Sequence, residues 1–349
     1  MARVVLVTGI SRDLAARFAR ELAVRSDVEV IGVDVVPPRF DIGRARYVRA
    51  DIRNAGITRV MAAEAVETVV HLGVKSTPAN AGGRSLMKEI NVIGTMQLLA
   101  SCQRSQTVRR LIVQSSASVY GASPRDPARF TEEMTARAGL RTGFGKDSVE
   151  IESYVGGLAR RRPDLIVTTL RLANLMGARV DSSITRYLSL PLVPRPMGFE
   201  ARLQFLHPTD AVRALLLAVD RELPGTFNVA APDLITLSQA LAVVGRPGLP
   251  VPGSATAVLA AIGRQARILD LSADQIAALT YGRGMDTTRF RAVAGFVPEI
   301  GSRAALEEFA VANGPGPLRH AEELIDKAAA LAGGRSADVV AGQGSGQDG

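Results

Sequence analysis

Val4-Val5-Leu6-Val7 is an unbroken run of branched apolar residues that stops at Thr8-Gly9. Leu14, Ala15, Ala16, Phe18 and Ala19 then recur at helical spacing. A run without polar alternation belongs to a strand covered on both faces, so this stretch predicts a buried strand, a tight turn and a packed helix. The same punctuation continues. Val28–Val33 predicts a second strand ending at Asp34, and Tyr47–Ala50 a third ending at Asp51-Ile52. A helix over Ile57–Ala65 precedes a fourth strand, Thr68–Leu72, which ends in His71-Leu72-Gly73. Ser85–Gln103 reads as one long amphipathic helix, Leu111–Ser115 as strand five, Ser148–Arg161 as a helix and Leu165–Leu170 as strand six. Short buried strands alternating with helices predict an α/β protein with a doubly wound parallel sheet and right-handed crossovers.

After Asn174 the periodicity loosens. Pro and Gly gather at Leu190–Gly198 and Gly245–Gly253, with helical patterns over Pro208–Val219, Thr236–Val244, Ala255–Ile268 and Ser272–Leu279. The expected organisation is a first domain over residues 1–175 and a smaller lobe over 176–315, interleaved with the core. One further helix is expected within 316–332 (Pro317–Leu331), and Gly333–Gly349, poor in apolar residues, reads as a disordered tail.

Composition narrows the classes. A chain of 349 residues, 47% hydrophobic and 22% charged, suits one large or two small globular domains. No apolar run approaches the roughly 20 residues of a membrane span. Met1-Ala2-Arg3 leads straight into the first strand, leaving no room for a signal peptide. The single cysteine, Cys102, excludes an internal disulfide and reads as a small buried hydrophobe; a cytoplasmic setting is expected. The net charge of +8 comes from 42 basic residues, only four of them lysine (Lys75, Lys88, Lys146 and Lys327). Scattered arginines with 4% aromatics offer no stacking platform, so nucleic-acid binding is not expected. The three histidines, His71, His207 and His320, show no metal-ligand spacing, and no metal is expected. His71 on a buried strand reads as core packing, and His207 before Pro208 as a helix cap.

The candidate chemistry starts at the first turn. A strand–turn–helix of this kind brings backbone N–H groups and a helix N-terminus up to an anion, as in dinucleotide folds. Arg12 puts a long side chain where backbone would touch phosphate, although its charge can pair with one, and Asp13 would repel it. Asp34 lies about 20 residues beyond the turn, the place for a carboxylate that accepts from an adenosine ribose. That favours NAD over NADP, because Asp34 would repel a 2′-phosphate.

The order of motifs resembles a known family. Thr8-Gly9, Asp34, Asp51-Ile52, His71-Leu72-Gly73, Asn91-Val92-Ile93-Gly94-Thr95, Ser115–Gly121, Leu170–Asn174, Gln204–Asp210 and Gly225–Val229 follow in the sequence and spacing of an extended short-chain dehydrogenase/reductase. The chain is similar to the NAD-dependent epimerase/dehydratase type, nearest in pattern to UDP-glucose 4-epimerases, from about Val4 to Phe309. The resemblance implies a Rossmann-type sheet with a smaller C-terminal α/β substrate lobe. It implies NAD at Gly9, Arg12, Leu14, Asp34, Asp51, Ile52, Leu72, Gly73 and Asn91, and a nucleotide-linked substrate at Asn174, Arg202 and Arg283. In so arginine-rich a chain, a solvated surface role is the default alternative for Arg202 and Arg283. It also implies homodimer formation through the Ser85–Gln103 and Ser148–Arg161 helices.

The family turn is T-G-x-x-G-x-x-G; here Arg12 and Ala15 replace the second and third glycines. Family members move a proton with a tyrosine in Y-x-x-x-K and orient the reacting oxygen with a serine, which falls on Ser116. The tyrosine and lysine positions fall on Phe144 and Ser148, and no Y-x-x-x-K occurs anywhere in the chain. Lys146, two residues from Phe144, would point to the other side of a helix; Asp147 and Tyr154 are the remaining substitutes. Two readings stay open: an enzyme with a non-standard proton route, or a binding module that keeps the fold without the redox chemistry.

Overall fold

The computed structural model describes residues 2–78, 81–135, 140, 143–252, 271–314 and 316. The expected helices Ala255–Ile268 and Pro317–Leu331, the tail Gly333–Gly349 and His320 lie outside the described residues. Seven strands among the described residues form one all-parallel sheet: β1 (Arg3–Thr8), β2 (Val28–Asp34), β3 (Arg46–Arg49), β4 (Thr68–His71), β5 (Arg110–Ser116), β6 (Ile166–Leu172) and β11 (Gly225–Val229). Their order is β11-β6-β5-β4-β1-β2-β3. The direction of the winding therefore reverses between β1 and β4, where Thr8 pairs with His71 on one side and Val33 on the other.

Alternate residues of β1 serve opposite faces. Val5 and Val7 pack with Leu14 and Phe18 of α1 (Asp13–Leu22) and Leu215 of α7 (Pro208–Asp220). Leu6 packs with Ile57 and Met61 of α2 (Gly56–Ala63), Leu98 of α4 (Gly94–Arg104) and Ile151 of α5 (Gly143–Arg161). Burying both faces explains why β1 reads as continuous rather than alternating. A separate apolar cluster joins Met176, Ile184, Phe205, Leu241, Leu306 and Phe309. It is built by α6 (Ser183–Leu188), α8 (Leu237–Val244), α9 (Ala273–Tyr281), α11 (Ser302–Ala312) and three two-stranded pairings: β7 (Asn174–Leu175) with β10 (Phe205–Leu206), β9 (Arg202–Leu203) with β12 (Ile235–Thr236), and β8 (Val193–Pro196) with β13 (Gly248–Val251). A short helix, α10 (Thr288–Ala294), packs on β11.

Three elements differ from the sequence expectation. The predicted single helix Ser85–Gln103 is α3 (Arg84–Lys88), a π turn (Glu89–Ile93) and α4. The extra residue of a π turn reorients the side chains within it. Here it accompanies Asn91, which accepts from the Lys75 N–H at 2.7 Å and donates to the Lys75 carbonyl at 2.8 Å. Helix α5 begins at Gly143 rather than Ser148. A Cβ on Gly145 would stand 2.8 Å from the Ser118 carbonyl, so close packing explains that glycine. Strand β6 runs on to Leu172, and Arg171 within it is satisfied in place by Glu152 at 2.6 and 2.9 Å.

Candidate active site

The turn after β1 is held from below. Gly9 has φ +76°, and a Cβ there would lie 2.5 Å from the Gly73 Cα, so the turns after β1 and β4 touch backbone to backbone. Gly9 is the residue that both the angle and the contact require. Arg12 is the N-cap of α1 with φ −93° and ψ 147°, ordinary extended values, so losing a glycine there costs no backbone strain. Its side chain makes no cap hydrogen bond, and the first-turn N–H groups, including that of Leu14, lack an intrahelical acceptor, as at any helix N-terminus. Asp13 does not oppose an anion as expected: its carboxylate is drawn to Arg17 Nε at 2.8 Å.

Asp34, at the end of β2, accepts from the Ser11 hydroxyl at 2.6 Å, the Ser11 N–H at 3.3 Å and the Val35 N–H at 2.7 Å. Asp51, after β3, is gripped by Arg53, which lowers its pKa, and Ile52 lies against Gly94. The Arg12 guanidinium reaches across to the carbonyl of Val74, donating from Nη1 at 2.6 Å. Burial pulls its pKa below the ordinary value, with Asp34 pulling the other way. Lys75 is similarly lowered, first by burial and then by Arg12. Lys75 had no place in the sequence reading.

Beyond Arg12 a cleft of about 140 Å³ opens over the ends of β4, β5 and β6. Ser116, Phe144, Ser148 and Asn174 all line it with Arg12 and Ser76. Ser116 caps the turn Ala117–Tyr120, accepting from the Ser118 N–H at 3.1 Å. Phe144 and Ser148 stand one turn apart on α5, and the Ser148 hydroxyl donates to the Phe144 carbonyl at 2.9 Å. Neither proposed substitute serves the cleft. Asp147 is fully buried and clamped by both Nη atoms of Arg84 at 2.7 Å, and Tyr154 is 41% exposed. Lys146 lines a different pocket with Glu150, on the other side of α5.

A smaller cavity continues from Asn174 to Arg202, Gln204 and Arg283. Arg283 is not a solvated surface residue: Nη1 donates to the Gly121 carbonyl at 3.2 Å, and burial draws its pKa down to about 10. Asp274, at the start of α9, acts on it electrostatically, and burial raises the Asp274 pKa. The Oδ2 of Asp274 is buried and has no hydrogen-bond partner among the described residues. Sequence reasoning missed the Arg84–Asp147 clamp and Asp274, since neither carries a motif.

The sequence profile of the NAD dependent epimerase/dehydratase family matches residues 5–230. The chain belongs to that family. As an extended short-chain dehydrogenase/reductase it has similar relatives of the same length class. An uncharacterised Mycobacterium tuberculosis protein is 44% identical over 321 residues, covering 90% of this chain and 85% of the relative. A dTDP-4-dehydro-6-deoxy-D-allose reductase from a Streptomyces species is 28% identical over 302 residues, 77% of this chain and 89% of the reductase. A UDP-glucose-4-epimerase from Stenotrophomonas maltophila, solved with NAD and a formylated UDP-arabinopyranose, shares the fold at TM-score 0.70 and 20% identity over 89% of this chain and 98% of that one.

Proposed function

We propose that this family member binds NAD and a nucleotide-linked sugar, or a comparably polar substrate, and serves epimerase/dehydratase chemistry whose proton transfer does not use a tyrosine–lysine pair. One observation carries the reading. The turn carrying Arg12 opens onto a cleft with Ser116, Phe144 and Ser148, Asn174 is shared between that cleft and the arginine-lined cavity of Arg202 and Arg283, and the turn lies at the switch point of the sheet, where ligands of open α/β folds bind.

The residues fit a dinucleotide. Asp34 has acceptor capacity left for ribose hydroxyls, since a carboxylate offers about four lone-pair sites. Leu14 N–H and Arg12 face the diphosphate position, and Asp51, Ile52, Leu72, Gly73 and Asn91 shape the flanks. NADP meets the Asp34 charge and is disfavoured. Bound NAD supplies a reversible hydride acceptor. Ser116 orients the reacting oxygen, while Asn174, Arg202 and Arg283 hold the substrate's phosphate, Arg283 most strongly because it is the most desolvated. Exposed apolar side chains on α3 and α5 (Leu86, Val149, Tyr154), with Ile93 of the π turn, support a homodimer through these helices.

A second reading is favoured by Phe144 and Ser148 themselves: the same cradle senses or carries a nucleotide without turnover. Two measurements decide. Mass spectrometry of the denatured purified protein looks for dinucleotide. Incubation with UDP- and dTDP-sugars then follows absorbance at 340 nm and product epimers. Ligand without turnover selects the second reading. No dinucleotide, with no thermal shift from added NAD or NADH, rejects both.

A further inference from the structure

Phe144 and Ser148 leave the cleft without the proton carrier of the family pattern. Among the described residues that line it, only Arg12 and Asp181 carry an ionised side chain. An arginine does not give up its proton in a protein, and a serine hydroxyl is a poor base unaided. Asp181 is therefore the one described lining group able to take a proton and return it. It reaches the cleft from the loop before α6, whereas Phe144 and Ser148 reach it from α5. That loop is fixed on both sides. The Val180 N–H donates to the Gly177 carbonyl at 3.2 Å, and Ser182 caps α6 in a reciprocal pair with Thr185 at 2.8 and 3.2 Å. Ile184 and Leu188 anchor α6 in the apolar cluster of the smaller lobe. Arg186 grips the Asp181 carboxylate fork to fork, Nε donating to Oδ1 and Nη2 to Oδ2, both at 2.7 Å. The fork fixes the plane of the carboxylate and leaves each oxygen a lone pair, since a carboxylate offers about four acceptor sites. The Asp181 side chain is 65% exposed, so a bound hydroxyl has access to it. An exposed ion pair is weak, so Arg186 orients Asp181 without locking it against protonation.

We propose that Asp181 is the acid–base residue of this cleft, held in place by Arg186. The proposal rests on the enzyme reading and adds to it the group that moves the proton. Ser116 and Asp181 line the same cleft, so one bound sugar can meet both. In the oxidative direction the C–H bond of the hydroxyl-bearing carbon breaks, and its electron pair leaves with the hydrogen as hydride to bound NAD. The O–H bond breaks as well; its electrons form the C=O bond, and the proton goes to a vacant lone pair of Asp181. The carbon is oxidised to a ketone and the nicotinamide is reduced. In the return direction the hydride comes back to carbon, and Asp181 gives its proton to the oxygen.

The test uses the full chain with NAD and UDP-glucose, UDP-glucuronic acid or dTDP-glucose, comparing wild type with Asp181→Asn and Asp181→Gly, and melting temperatures confirm folding. Losing a positioned acid–base group lowers the rate by about 10²–10⁴-fold. That loss is expected in kcat for both variants, with KM and calorimetric sugar-nucleotide affinity unchanged. Formate, a carboxylate small enough for the vacated space, restores part of the turnover of Asp181→Gly and none of that of Asp181→Asn. A second readout needs no turnover. Carbodiimide coupling of glycinamide, mapped by peptide mass spectrometry, labels Asp181 in the empty wild type, and the labelling is lost when NAD and UDP-glucose are bound. Wild-type turnover in Asp181→Asn, or labelling that bound ligands leave unchanged, overturns the proposal and leaves the enzyme reading standing. A loss in Asp181→Gly that formate does not relieve also overturns it, by showing a structural role. Ligand binding by the wild type without turnover of any of the three sugar nucleotides overturns the proposal together with the enzyme reading, and leaves the binding-module reading. No binding by any form overturns all three.

Discussion

His71 ends β4 beneath the nucleotide turn and is 1% exposed. Its ring is wedged between two threonines, with Nδ1 2.7 Å from Thr8 Oγ1 and Nε2 2.8 Å from Thr95 Oγ1. Thr95 spends its proton on the Asn91 carbonyl, so it can only accept from Nε2–H. Thr8 accepts from the Leu72 N–H and gives its own proton to Nδ1. The neutral Nε2–H tautomer satisfies every group, and burial draws the pKa from 6.5 down to about 4. The unfolded chain takes up a proton near 6.5 and the folded chain resists it. This contribution to stability is thus intact above 6.5 and is lost as pH falls from 6.5 toward 4. Between neutral pH and about pH 5, linkage puts the loss at about 2 kcal/mol, from a full difference of about 3 kcal/mol. Urea denaturation of wild type and His71→Gln across that range measures it. The variant is less stable at neutral pH, and the gap closes as pH falls. Two parallel pH profiles would show that His71 protonates in the fold as readily as in the open chain, and would refute the reasoning.

Arg84→Met strands the fully buried Asp147 carboxylate, with only Asn91 left at 3.4 Å, and is expected to cost on the order of 3 kcal/mol in chemical denaturation. Adding Asp147→Leu should recover most of that; a double variant no better than the single would count against the clamp. Phe144→Tyr with Ser148→Lys should raise turnover on UDP-sugars little, because a lysine at 148 enters a cleft already occupied by the Arg12 charge; turnover at a family rate would contradict this. Val149→Arg with Tyr154→Glu should convert a homodimer to monomer by sedimentation velocity, and a wild type that is already monomeric at tens of micromolar removes the interface on α3 and α5.

The sheet was legible because buried parallel strands carry an unmistakable pattern: β1 and β2 are apolar on both faces and end at Gly9 and Asp34, where backbone and carboxylate turn to the crevice. Cys102 and His71 were likewise readable as core from the elements they sit on. The rest depended on contacts that sequence distance hides. Arg84 and Asp147 are 63 residues apart and carry no motif. Lys75 carries no motif, and only the fold sets the Arg12 charge close enough to act on it. The start of α5 is hidden by two glycines of low helix propensity: Gly143, at φ +86°, and Gly145, which packs too close to the Ser118 carbonyl for a side chain. Arg283 was read as surface because local sequence does not report the cavity that α9 and the Ala117–Tyr120 turn close around it.

The polar side chains at and beside the replaced positions each have a partner. Asp13 is bound by Arg17, Arg12 by the Val74 carbonyl, Ser148 by the Phe144 carbonyl, and Asp147 by Arg84. The Phe144 ring packs against the apolar cluster beneath α5. A catalytic site decaying without selection would leave stranded polar groups where its relay had been, because an unpaired buried group costs about 1–3 kcal/mol. Among the described residues the buried side-chain atoms without a partner lie elsewhere: Thr77 Oγ1, next to Ser76 of the cleft wall, and Asp274 Oδ2, beside Arg283. Unmet hydrogen-bonding capacity thus lies beside Ser76 and Arg283, while the Ser148 hydroxyl is satisfied where it and Phe144 line the cleft. That distribution is the one expected if, as proposed above, the cleft holds a polar ligand, because native chains leave buried polar groups unpaired chiefly at functional or strained sites.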